Sequence, residues 1–303
     1  MSNKVVIWGC PPDTHTHSYI HYGFAKAFSD LDYNVTWYED SEEYSSEDIS
    51  DSIVISIYGH CKYLPIDKTS KYFIHNIVDG FYNQNKIEGD NIYNLLVYHE
   101  NYNWNDDISN IDEYSWYDDK TKTVVIMWGT DLLPEEIDEQ QEVLYDSNKQ
   151  SVNYIGSLNP NDSSVLVNTV EKNGKKFINY GGYSGIKSKS TGFGFLNDEE
   201  LISLTKQSYL NFDIRPQCHI QNGYIPCRIF KNLSYGCWTG TNSEKISKFF
   251  DNRITCNSNL SELYHLTEED SKNATKEILR DNMNFVRNNH TYLNRIQNIL
   301  SVL

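Results

Sequence analysis

Short apolar runs rich in β-branched and aromatic residues punctuate the first half of the chain at 5–9, 34–38, 53–58, 72–76, 94–98 and 123–128, and an amphipathic pattern predicts a helix over 18–31. Runs that are apolar throughout, without strict alternation, predict strands covered on both faces, as in a mostly parallel sheet flanked by helices. Several runs end in polar or aromatic clusters, among them Tyr58-Gly-His60, His75-Asn76, Tyr98-His-Glu100 and Gly129-Thr-Asp131. In such sheets ligands lie beyond the carboxyl ends of the strands, so chemistry is expected at these clusters.

After an acidic stretch at 135–150 the alternation resumes. A strand at 152–155, a tight turn at Gly156-Ser157, a helix capped by Asp162 or Ser163 and ending at Asn173-Gly174, and a strand at 176–180 form a βαβ unit. A Gly-rich basic loop at 181–194, a helix at 198–208, a strand at 209–214, a short helix around Arg228 and a strand at 238–241 extend it into a second Rossmann-like domain. The start Thr267-Glu-Glu-Asp270, followed by Ala274, Ile278, Phe285, Leu293 and Ile296 on one side, predicts a single long helix over about 268–300. The fold class is therefore α/β. A chain of 303 residues has room for two domains with separate cores.

A formal charge of −16 argues against a nucleic-acid partner, whose binding depends on clustered Lys and Arg. The acidic runs at 39–51, 106–119 and 135–142 are expected to be solvated loops and helix faces. The 23 tyrosines supply surface suited to sugar rings and bases as well as to a core. No apolar stretch reaches the roughly 20 residues of a membrane span, and the start carries no signal-peptide pattern. The six cysteines form no Cys-x-x-Cys pair, so reduced thiols and a cytoplasmic location are expected.

The segment 223–243 is the most informative. Pro226 suits a first helical turn, Arg228 and Lys231 lie one turn apart on a shared face, and Gly236 suits a left-handed cap. Open N–H groups and the positive end of the helix dipole would favour an anion at the same tip. The spacing Arg228-x-Phe230-Lys231-x4-Gly236, followed by the run to Thr241-Asn242, resembles the donor-binding signature of GT-B glycosyltransferases, with the CgeB-like spore-maturation group as the nearest variant. Where that group has Glu, this chain has Lys231. His290-Thr-Tyr292, Arg295 and Ile299-Leu300 are similar to the family's closing helix.

The resemblance implies two Rossmann-like domains facing a cleft: an acceptor domain over 1–148, a nucleotide-sugar domain over 149–268, and a C-terminal helix over 269–303 crossing back to the first. It implies transfer of a sugar from a nucleotide-diphosphate sugar to a hydroxyl acceptor, with protein cations rather than a metal or a further cofactor at the diphosphate. Arg228 and Lys231 would bind that donor. Gly156 and Ser157 would let phosphate oxygens approach the backbone, Arg215, Lys187 and Lys189 would add positive potential, Tyr224 or Tyr183 would stack, and Thr241 and Asn242 would reach ribose or phosphate.

Between the first strand and first helix, Asp13, His15, His17 and His21 offer a general base for the acceptor hydroxyl. His17 is the first choice, with Asp13 to orient it or replace it. His15-x-His17 lacks a third convergent ligand for zinc. Two other classes remain in view: a nucleotide- or sugar-binding protein without catalysis, and a Rossmann oxidoreductase. The second is disfavoured because no Gly-x-Gly-x-x-Gly follows an early strand.

Overall fold

The computed structural model describes residues 3–9, 16–75, 89–97, 108–158, 160–181 and 196–303. The chain divides into two compact units, Met1–Asp131 with Thr291–Leu303, and Leu132–His290. Each is a parallel-rich α/β unit, the class the alternation predicts.

The first unit contains β1 (Lys4–Trp8), α1 (Thr16–Asp30), β2 (Asn34–Tyr38), β3 (Ser52–Ile57), β4 (Lys71–His75), β5 (Ile92–Leu96), β6 (Ile108–Asp112), β7 (Ser115–Asp118) and β8 (Thr123–Ile126). Its sheet runs β2-β1-β3-β4-β5-β8-β7-β6. The six strands from β2 to β8 are parallel, in register such as Ile7 beside Ile55, and the last two are antiparallel. Every residue of β3, β5 and β8 is buried, which is why those runs are apolar without alternation.

The hairpin β6-β7 lies in the acidic run read as solvated loop. Asp118 is buried because its carboxylate closes the following turn, accepting from Lys120 N at 3.0 Å, Thr121 N at 3.3 Å and Thr121 Oγ1 at 2.9 Å. A carboxylate satisfied in this way tolerates loss of water.

The second unit holds α2 (Pro134–Glu139), β9 (Ser151–Ile155), α3 (Pro160–Lys172), β10 (Lys176–Tyr180), α4 (Asp198–Gln207), β11 (Asn211–Asp213), α5 (Gln217–Gln221), α6 (Cys227–Ser234), β12 (Thr239–Thr241), α7 (Glu244–Phe249), β13 (Thr255–Cys256), α8 (Leu260–Asn273) and α9 (Lys276–Asn289). Parallel pair β10-β9 adjoins parallel triplet β11-β12-β13, where Tyr209 N donates to Ser151 O at 2.7 Å. Val152, Tyr154, Leu166, Phe177, Phe212, Leu263 and Tyr264 form its core.

The single long helix expected at the C-terminus is three: α8, α9 and α10 (Tyr292–Leu300). Hydroxyls cause both breaks. Ala274 turns extended (ψ 115°) and Thr275 then caps α9 by accepting from Ile278 N at 3.4 Å. Thr291 and Asn294 form a reciprocal capping box that opens α10. The break also rotates the apolar face, leaving Ile278 44% exposed while Ile296 is fully buried.

Within the first unit, the buried guanidinium of Arg295 on α10 donates from Nε to Met127 O at 2.7 Å and from Nη2 to Trp128 O at 3.0 Å, tying down the chain just after β8. Burial pulls its pKa down to about 10. Among the described residues no helix is long and apolar enough to cross a membrane.

Candidate functional site

The carboxyl ends of β9 and β11 and the start of α6 bring Tyr154, Asp213, Arg215 and Arg228 into one cluster. Two glycines make room for it. The backbone turns at Gly156 with φ +117°, and a Cβ there would lie 2.3 Å from Arg228 Nη2. A Cβ on Gly181, just past β10, would lie 2.8 Å from the Gly156 backbone. The guanidinium of Arg228 thus occupies space that any side chain at 156 would fill.

Arg228 is placed by α6. Pro226 is the N-cap (φ −79°, ψ 154°), one position before the first turn in which the spacing put it, and offers no side-chain cap. The helix closes as predicted at Gly236, φ +80°, with Gly236 N donating to Leu233 O and Cys237 N to Asn232 O, both at 3.0 Å. Arg228 donates from Nε to Ile155 O at 2.7 Å and from Nη1 to Tyr154 Oη at 2.6 Å, with the Tyr154 ring 4.2 Å beneath the guanidinium. Nη1 also pairs with Asp213, which Arg215 reaches from Nη2 at 2.7 Å.

Two cations therefore share one fully buried carboxylate; the side chain of Arg215 is 8% exposed and that of Arg228 14%. Burial opposes the charge on Arg215, but Asp213 more than offsets this and its pKa stands raised. The triad carries a formal surplus of one positive charge in a site largely shielded from water. Such a surplus is costly unless an anion balances it.

Asn242 commits its amide to Arg215: Oδ1 accepts from Arg215 N at 2.8 Å and Nδ2 donates to Arg215 O at 2.9 Å. Thr241 is buried, its hydroxyl accepting from Ser243 N at 3.3 Å. Lys231 is buried within α6, and Ser157 is exposed beyond β9. Tyr224, half-buried, packs edge-on against His219 with centroids 4.8 Å apart. Asp213 and Tyr154 belong to the cluster and His219 lies beside it, although the sequence reading passed over all three. Asp213-x-Arg215 at a strand end was the available signal, since alternate residues there face one side. Tyr183, Lys187 and Lys189 lie outside the described residues.

In the first unit, His17 is half-buried in the opening turn of α1, edge-on to Trp128 at 6.2 Å, while Asp13 and His15 lie outside the described residues. His75, at the end of β4, is fully buried against Trp128 (4.7 Å), Phe24 (5.9 Å) and His21 (6.4 Å). Burial first, then the neighbouring His21 and His17, depresses its pKa well below 6.5. The unfolded chain takes up a proton that the folded His75 refuses, so stability should be lost as pH falls below about 6.5, by at most about 1.4 kcal/mol per pH unit. Urea titrations at neutral and mildly acid pH should show this slope, and a His75→Phe variant should flatten it. An identical slope in the variant would assign the effect elsewhere.

Among the described residues no group of three or more His, Cys, Asp or Glu is arranged to hold a metal ion. No protein-family model matches the chain, and no curated protein matches it. Among the solved structures that align with this chain are two glycosyltransferases. The β-glucosyltransferase of phage T4 aligns over 97% of this chain and 98% of its own at 12% identity and a TM-score of 0.48. The glycosyltransferase SnogD from Streptomyces nogalater aligns over 100% and 99% at 8% identity and a TM-score of 0.38.

Proposed function

We propose that this protein is a glycosyltransferase of GT-B type, related to the CgeB-like group, that moves a sugar from a nucleotide-diphosphate sugar to a hydroxyl acceptor. One observation carries the reading: Arg228 and Arg215 converge on the single carboxylate of Asp213 beside Gly156, so that the triad itself holds one positive charge in surplus at the carboxyl ends of parallel strands. A diphosphate supplies negative charge to meet this surplus, and Gly156 makes room for the guanidinium that would face it.

When the bond from sugar to diphosphate breaks, negative charge accumulates on the leaving oxygen. Cations already fixed in position stabilise that charge without reorganising, an effect that commonly dominates catalysis. Protein cations fill this role here, so the reaction is metal-independent in this proposal. His17 is the proposed base for the acceptor hydroxyl, and the protein works in the cytoplasm.

A thermal-shift screen of nucleoside diphosphates and their sugars tests the reading, because a ligand that binds only the folded state raises the apparent melting temperature. One base series should stand out. A flat response across all of them would overturn the proposal. The rival reading, binding without transfer, draws on the dense protein contacts of Arg228; nucleotide-sugar binding with no turnover across acceptors would establish it.

A further inference from the structure

We propose that His219 is an additional anion-binding residue, donating from a protonated Nδ1 beside Arg215, so that ligand binding takes up one proton from solvent. The inference rests on the diphosphate reading above and names a residue and a proton linkage that reading lacks.

His219 is carried by α5, directly after β11, and Tyr224 holds its ring edge-on at 4.8 Å. His219 Nδ1 is buried with no hydrogen-bond partner among the described residues. The same holds for Arg215 Nε, Asp213 Oδ2 and, in the first turn of α3, Asp162 Oδ2. Buried polar atoms in native proteins nearly always have partners. Of these four atoms, Arg215 Nε and a protonated His219 Nδ1 are donors that an acceptor with several oxygens would complete, while the two carboxylate oxygens can only accept and would face a donor instead.

The groups that act on His219 are named by its surroundings. Burial disfavours its charged form most, Arg215 adds to this, and the carboxylates of Asp213 and Asp162 oppose it; the balance leaves the imidazole with a lowered pKa. Without ligand the ring is neutral at neutral pH. A bound diphosphate reverses the balance, because its negative charge cancels the repulsion from Arg215 and rewards a second donor. The proton then comes from the buffer, and affinity must weaken as pH rises through the value His219 adopts in the complex.

Inorganic pyrophosphate is the probe, titrated calorimetrically into the full chain in two buffers of different ionisation enthalpy, between about pH 6 and about pH 8. Relative to His219→Gln, the wild-type protein should absorb about one additional proton per pyrophosphate, and its affinity should fall by up to about tenfold per pH unit where the variant's changes less. The comparison removes any protonation of pyrophosphate itself. Equal uptake in both proteins would overturn the role of His219 while leaving the anion site intact. Absence of pyrophosphate binding to the folded wild-type protein would sink the anion-site reading itself. Should the variant fold poorly, the ring resonances of His219 in wild-type protein decide the matter: pyrophosphate must raise their titration midpoint, and an unmoved midpoint refutes the proposal.

Discussion

Replacing Arg228 with alanine is expected to lower the rate of sugar transfer by roughly 10² to 10³, the usual cost of removing one fixed donor to developing charge. The chain should still fold, because Asp213 keeps Arg215 as a partner at 2.7 Å. Lysine should not restore the rate. Arg228 reaches Ile155 O through Nε while Nη1 meets Tyr154 and Asp213, and a single ammonium cannot span those directions. Initial rates with the nucleotide sugar found by thermal shift, compared at matched folded fraction, make the measurement. Transfer at the wild-type rate would remove Arg228 from the mechanism.

The second large effect lies in stability. An Asp213→Ala variant leaves two guanidinium groups close together with no carboxylate, in a site where Asp213 has no exposure and Arg215 only 8%. Breaking a buried pair by removing one member commonly costs about 3–5 kcal/mol, because the remaining charge stays desolvated. A urea midpoint should fall accordingly, and added sulfate or pyrophosphate should recover more stability in the variant than in wild type. A loss below about 1 kcal/mol, the scale of a surface pair, would mean that water reaches the site freely. The two variants separate the roles: alanine at 228 mainly removes function, and alanine at 213 mainly removes stability.

Local features of the fold were legible early. The parallel strands from β1 to β5 with β8, the helix α4, and the cap at Gly236 follow from apolar runs and turn chemistry within a few residues. The errors came where local signals competed. Thr275 and Thr291 can sit in a helix or cap one; the apolar spacing favoured the first and packing selected the second. Asp118 looked like part of a solvated acidic run until the turn that it closes was formed.

The candidate site divides along the same line. Arg228, Gly156 and Arg215 were identifiable because a helix tip, a strand-end glycine and a basic residue near a strand end each have a sequence signature. Their mutual positions had none. Asn242 was expected to meet a ligand and instead braces the main chain of Arg215, a bond across 27 positions. Tyr154 entered the sequence reading only as part of the strand at 152–155, yet its hydroxyl meets Arg228 across 74 positions.

By itself, the sequence determined the class of the fold, the order of most elements and the type of charge available, because periodicity, capping and turn preferences act over a handful of residues. Only the tertiary structure decided that two arginines would share one aspartate, that a glycine would yield its side-chain space to a guanidinium, and that His219 would lie beside them. Those outcomes depend on desolvation and on Coulomb interactions between groups far apart in the chain, and such terms have no value until folding sets the distances.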